Sequence, residues 1–572
     1  MLLGLKTIDQ APAPGSLVTQ QFDKLPRDEL LPVRLDVREI SKQRRARQNL
    51  LATCVAAVAL IFAHGFAYQP AAAETTLKVA LHSDLKIIDP VWTTALITTH
   101  HGHMIYDTLF AIDEQLAIKP QMVDTWSVSE DKLTWTFKLR DGLEWHDGQP
   151  VTADDCVASI RRWSARDGLG QKLIKVTDKL EATDAKTFVM KLKEPYGLVI
   201  DTLGKASSNV PFMMPKRVAE TDPNTQISEL VGSGPFIFQK DEWRPGVKAV
   251  YLKNQKYKPR AEPPSGYSGG KVVKVDRVEW IWISDPQTQV NALLNGEVDF
   301  VEAPPHDLLP LLTKDANIAT MVIAPMGRQY ALRFNVLHKP FDNAKIRQAV
   351  AYAFNQADFL DAAVGNSKYY VACKSIYPCG SRLETTKGFE DKLESNFDKA
   401  RALIREAGYD GTPVVLMQST DIGALSNLAP VAKTLMEKAG LKVDLQSMDW
   451  QTVVTRRTKK DPPSTGGWSA FLTSWGSIDV LDPPSTNFLN ATCDKALFGW
   501  PCDAELEQLR DAFARETDPA KQKDIAVATQ VRMSEYPTHI HLGQYMQPSA
   551  YRKNITGVFP ASNVALWNIE KK

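Results

Sequence analysis

Net charge is almost absent from this chain, and its absence removes one class of function. Over 572 residues Lys plus Arg exceed Asp plus Glu by one, and beyond residue 73 the balance is −2. A nucleic-acid binder would show a basic patch or stripe, and no such partner is expected. A membrane-length run is also missing. The longest apolar stretch, Leu50 to Ala63, has about 14 residues, short of the roughly 20 that span a bilayer. Gly-rich phosphate cradles are lacking. So is the CxxC spacing that would favour structural zinc over disulfides among the six cysteines. His100, His101 and His103 sit together, as do His539 and His541, but neither group has a carboxylate or thiol at ligand spacing. Surface or satisfied core histidines are expected, with no metal and no cofactor.

The N-terminus carries the clearest signal. Arg44, Arg45 and Arg47 precede the apolar run, and Ala71, Ala72 and Ala73 follow it, with Glu74 next. Basic region, apolar core and small-residue cleavage site together describe a secretory signal peptide. Residues 1–73 are therefore expected to be removed, including a long polar extension at the start. Cys54 lies early in the apolar run, where a lipid-anchor cysteine does not, and the Arg44-Arg45 pair also fits a twin-arginine signal. Export implies an oxidising compartment. Cys373 with Cys379, and Cys493 with Cys502, then read as local disulfides in Gly/Pro-containing loops. Cys156 is left as a small buried hydrophobe.

Alternating Leu133, Trp135, Phe137 and Leu139, and then Phe188, Met190 and Leu192, predict half-buried antiparallel strands. Thr152 to Asp155 predicts a capping box opening a helix through Trp163. Residues 114–200 thus read as a small α+β domain. Residues 271–275 (KVVKV) and KVDRVEWIWI read as strand. From about 340, helices ending at Gly408 and Gly440 alternate with the strands TPVVLM and LKVDL, which predicts a mostly parallel sheet.

Residues 266–270 (GYSGG) formally match a nucleophile elbow, but a Pro-rich loop precedes Ser268 where the elbow needs a strand. No acid/base pair stands out among the carboxylates, so a secreted hydrolase is only a remote alternative. The segment 473–483 (TSWGSIDVLDP) differs. It follows the apolar WSAFL and strings Trp475, Asp479 and Asp482 along a turn at a strand end, where open α/β sheets bind ligands.

Taken in order, IDP (88–90), IYDTLF (105–110), LRDGLEWHDGQPVTADD (139–155), GSGPF (232–236), NALLNGEVDF (291–300), FDNAKIRQAVAYAFN (341–355) and TSWGSIDVLDP are similar to the family 5 extracellular solute-binding proteins of ABC importers. The resemblance covers about Leu77 to Asn568 and implies an α/β, two-lobed type II periplasmic binding protein with an α+β domain inserted in the first lobe. It implies lobe I over 74–113 and 201–327, the insertion over 114–200, lobe II over 328–545, and a return to lobe I over 546–572. It further implies a periplasmic monomer, not an enzyme, that captures a di- or oligopeptide and delivers it to a membrane permease. A metal chelate, sugar or opine-like ligand is the alternative. In peptide binders of the family an aspartate of this loop pairs with the ligand's α-amino group. Asp479 is the closest match, with Trp475 as an apolar wall, and Asp482 is expected to be structural. The arginine that holds the peptide carboxylate in the dipeptide type has no evident counterpart.

Overall fold

The computed structural model describes residues 74–572 apart from Ser207 and Thr517. The expected signal peptide, with Cys54 and the Ala73 cleavage site, lies outside the described residues.

Two mixed sheets carry the architecture. The first has seven strands in the order Ile318–Val322, Pro548–Arg552, Phe300–Val301, Thr76–Ala80, Arg277–Ile281, Lys248–Lys253 and Phe236–Phe238. Thr76–Ala80 is parallel to both neighbours, and its Leu77 and Val79 are fully buried. The second has six strands in the order Tyr370–Val371, His539–Tyr545, Arg328–Phe334, Ala470–Gly476, Val414–Ser419 and Val443–Met448. A mostly parallel sheet was expected there, and the finding corrects it. Val414–Ser419 runs parallel to Val443–Met448 and to Ala470–Gly476 because helices separate these strands in sequence. Arg328–Phe334 is antiparallel to both neighbours. It enters directly from the first sheet with no helix between, and His539–Tyr545, which follows helix Pro519–Glu535, leaves directly into that sheet.

Those two direct passages, residues 323–327 and 546–547, join the sheets. They touch. Gly327 has φ +68°, and a Cβ there would lie 2.4 Å from the Tyr545 carbonyl oxygen, so only glycine fits without displacement.

A third block is a four-stranded antiparallel sheet: Val123–Val128, Thr134–Leu139, Thr187–Leu192 and Thr177–Ala182. Helix Ala153–Ser164 covers it, and Phe137, Phe188, Ile160 and Cys156 belong to its own core. The Thr152 side chain accepts from the Asp155 N–H, and the Asp155 carboxylate accepts from the Thr152 N–H, a complete capping box. The helix is tied to the first sheet's lobe by a buried pair in which Arg162 donates to Asp89 at 2.7 Å. That pair gives the IDP segment its physical role. The GSGPF segment has one too: a Cβ on Gly232 would lie 1.7 Å from the Ile105 carbonyl oxygen.

Residues 271–275 are not a strand, contrary to the alternation, and the strand after them begins only at Arg277. The reason is local. Lys271 is buried on Asp107 at 2.8 Å, and the Val272 N–H is taken by the Asn568 side chain at 2.9 Å. Disulfides join Cys373 to Cys379 and Cys493 to Cys502, and Cys156 is a buried free thiol. No helix among the described residues is long and apolar enough to cross a membrane.

Candidate functional site

The strand Ala470–Gly476 ends at the interface between the two sheets' lobes, and its last turn builds the site. Trp475 lies within this strand, not in the turn that its Gly/Pro neighbours predicted. A 3₁₀ turn, Ser477–Val480, follows and presents Asp479, which is buried. Trp475 is held edge-on against Phe488, with ring centroids 4.9 Å apart. Trp475 and Asp479 line one cavity of about 70 Å³ together with Arg328, Arg457, Trp450, Thr94 and His82. Asp482 has a different job. Its carboxylate accepts the Ser485 N–H at 2.8 Å, its carbonyl accepts the Thr486 hydroxyl at 2.7 Å, and burial pushes its carboxyl pKa up.

Two further cavities adjoin this one. A space of about 110 Å³ shares His82, Arg328 and Ser474 with it and adds Glu302, Asp421 and Tyr545. A larger space of about 1020 Å³ shares Thr94 and Arg457 and extends past Trp92, Arg166, Lys172 and Arg510. Thr94, His82 and Glu302 come from the first sheet's lobe, while Arg457, Trp450 and Asp479 come from the second. The cleft is therefore walled by both lobes. Contacts across it hold them together: Gln451 donates to the Ser83 hydroxyl at 3.2 Å, Asn487 to Ser208 at 2.8 Å, and Arg457 to Thr94 at 3.1 Å.

Arg457 is the most unusual group in the cleft. It follows helix Trp450–Arg456, is 3% exposed, and stacks over Phe498 with 4.1 Å to the ring centroid. No carboxylate of the described residues pairs with it, and its Nε has no hydrogen-bond partner among them. Burial lowers its pKa to about 9. A buried charge normally has a partner, because leaving it unpaired is expensive. The sequence offered no way to single it out. TRR at 455–457 reads like any solvated basic turn, and Trp450 before it like core.

Of the sequence-assigned residues, Asp479 and Trp475 come together, while the disulfide cysteines do not join them. The Cys493–Cys502 loop borders the large cavity through Thr492, Asp494 and Trp500, and Cys373 lies against Gln356, whose side chain accepts from its N–H and donates to its carbonyl. His101 and His103 are core groups bonded to the Tyr251 hydroxyl (2.9 Å) and the Ala206 carbonyl (3.2 Å). His100 is buried but not satisfied.

Two lobes joined by paired crossings, with a ligand-sized cleft between them and aromatic and charged walls, define a bilobal binding protein. The chain belongs to the bacterial extracellular solute-binding proteins, family 5, whose model matches residues 117–496. It is 41% identical over 505 residues to a probable peptide ABC transporter periplasmic-binding protein of Sinorhizobium fredii, covering 87% of this chain and 94% of that one. It is 26% identical over 512 residues to a glutathione-binding protein of Escherichia coli, covering 87% and 95%. The fold matches the binding protein AgaA of Agrobacterium tumefaciens in complex with agropinic acid (TM-score 0.72, 24% identity, 87% and 99% covered). It also matches a dipeptide-binding protein of Pseudoalteromonas in complex with Met-Leu (TM-score 0.71, 19% identity, 87% and 100% covered). These relatives are solute-binding proteins, and the chain is the substrate-capturing component of an importer of that family.

Proposed function

We propose that the mature chain, exported to the periplasm after cleavage at Ala73, captures a peptide in the interlobe cleft and hands it to an ABC permease without chemical change. We assign its recognition to Asp479 for the α-amino group, Arg457 for a carboxylate, and Trp475 and Trp450 for apolar walls. The carrying observation is that one cavity presents a buried acid and a buried, acid-free guanidinium from the same lobe. A zwitterionic ligand matches both charges at once. Hydrogen bonds to ionised partners are about twice as strong as neutral ones. Ligand contacts to both lobes favour the closed arrangement. The name of the Sinorhizobium relative agrees with a peptide, and the large neighbouring cavity leaves room for chains longer than two residues. The segment 114–200, with its own core, is the inserted domain on this proposal, and the lobes are bounded at 327/328 and 545/546.

Calorimetry with free, N-acetylated and C-amidated peptides tests the assignment. Removing one member of a buried charge pair typically costs about 2–5 kcal/mol. Asp479→Asn should thus weaken binding by roughly 30-fold or more, and acetylation should do the same to the wild type. Arg457→Gln and C-amidation should behave as the matching pair at the other end. Asp482→Asn should affect folding more than affinity. If neither capping nor either variant changes affinity, the ligand is not a peptide.

A further inference from the structure

We infer that His82, His100 and Glu302 form a divalent-cation site on the first sheet's wall of the cleft. The topology brings them together from three separate parts of the chain. Strands Thr76–Ala80 and Phe300–Val301 are parallel neighbours, with Ala80 opposite Val301. The residues just beyond their carboxyl ends, His82 and Glu302, therefore fall side by side. Helix Leu96–Ile105 lays His100 against them. Glu302 Oε2 lies 2.7 Å from His82 Nδ1, Glu302 Oε1 lies 3.8 Å from His100 Nδ1, and the imidazoles meet edge to face at 5.6 Å. One donor atom from each residue falls within 4.8 Å of the others. Donors about 2.0–2.2 Å from a zinc-like ion stand roughly 3.3 Å apart in a tetrahedral set, and the two measured separations bracket that value.

His100 points to a missing partner. It is 4% exposed, and neither ring nitrogen has a hydrogen-bond partner among the described residues. An unsatisfied buried polar group costs about 1–3 kcal/mol, and His101 one position on has one of its two ring nitrogens bonded, to Tyr251, where His100 has neither. Two imidazoles and one carboxylate select a borderline cation such as Zn²⁺, Ni²⁺ or Cu²⁺ over Mg²⁺ or Ca²⁺. His82 and Glu302 line the cleft cavity, so the open coordination positions face captured solute. Sequence spacing hides the site because the carboxylate is some two hundred residues from the histidines.

The test uses tag-free mature protein, stripped with chelator and titrated with Zn²⁺ alone by calorimetry, with metal content counted by mass spectrometry. One equivalent is expected. Loss of a group that only orients a metal ligand typically costs 10–100-fold in metal affinity, so removal of a ligand itself, by His100→Asn or Glu302→Gln, should weaken Zn²⁺ binding by at least about tenfold. His539→Asn should leave it unchanged. Should a variant fail to fold, the Cu²⁺-loaded wild type decides by electron paramagnetic resonance: coupling to two imidazole nitrogens supports the site, and its absence overturns it. Failure to bind one equivalent, or equal affinity in folded variants, also overturns it. Peptide affinity of the stripped protein is measured separately, so loss of the metal site and loss of the peptide assignment are distinguishable.

Discussion

At the residue scale, burial governs how single side chains behave with pH. His101 is fully buried and accepts or donates only to Tyr251, and desolvation alone lowers its pKa to about 3. His146 and His541 are lowered to about 4, also chiefly by burial. In the unfolded chain the same rings titrate near 6.5. The unfolded state therefore binds more protons between these values. Stability is fully present above about pH 6.5 and is lost as pH falls toward 4. Urea melts at pH 7 and pH 4.5 should show a marked drop in midpoint, and His101→Phe should flatten that dependence. An unchanged slope in the variant would remove His101 as a cause. Arg457 offers the opposite trade. Replacing buried charged groups by well-packed apolar residues of similar volume is often neutral or stabilising even when the charges are paired. Arg457→Met should then hold or raise the melting temperature of the ligand-free protein while ligand affinity falls. A large loss of ligand-free stability would mark Arg457 as structural.

At the scale of elements, what the sequence disclosed depended on whether the determining contacts were local. The capping box at Thr152 and the glycines ending helices at Gly408 and Gly440 are properties of a few adjacent residues, and the structure has all three. The alternation through Phe137 and Phe188 likewise reflects one buried face. Residues 271–275 carry the same alternation but are claimed by Asp107 and Asn568, both far away in sequence. Strand direction in the second sheet escaped notice for a similar reason, since it depends on where the chain enters from the other sheet. In the site, Asp479 and Trp475 were legible from a turn at a strand end, whereas Arg457, Trp450 and the Glu302 cluster were not. Arg457 and Trp450 gain significance only when two lobes meet, and the Glu302 cluster only when the first sheet sets Glu302 beside His82. The loop disulfides belong to this scale as well. Each closes a short loop and should contribute about 2–3 kcal/mol on the chain-entropy estimate. Non-reducing peptide mapping should recover Cys373 with Cys379 and Cys493 with Cys502. Reductant should lower the melting temperature, and free thiols in the exported protein would contradict both pairings.

At the scale of the whole molecule, closure depends on contacts that only the closed form makes, and one such cluster lies on the large cavity, apart from Asp479 and Trp475. Lys172, in the four-stranded block, is 2.9 Å from Glu507 and 2.5 Å from Asp511 on helix Ala504–Arg515 of the second lobe. The Lys172 side chain is only 9% exposed, so solvent screens the cluster weakly. Burial acts to raise the Glu507 carboxyl, yet Arg510 and Lys172 together hold it at about 2. Arg510 sits on the same helix and stays with Glu507 when the lobes part. Lys172 comes from the other side, so its contribution is specific to the closed form. Removing it takes stabilisation from that form alone, and couplings of this kind typically run to about 1–3 kcal/mol, a 5- to 150-fold shift in population. Lys172→Met should therefore enlarge the radius of gyration of the ligand-free protein in solution scattering. It should also weaken ligand binding through faster dissociation, with the charge preferences for amine and carboxylate unchanged. Saturating ligand should restore the wild-type scattering profile, because ligand contacts to both lobes then supply the missing closure energy. A variant that scatters and binds like the wild type would show that the cluster is incidental and that Gln451, Asn487 and Arg457 hold the lobes shut without it.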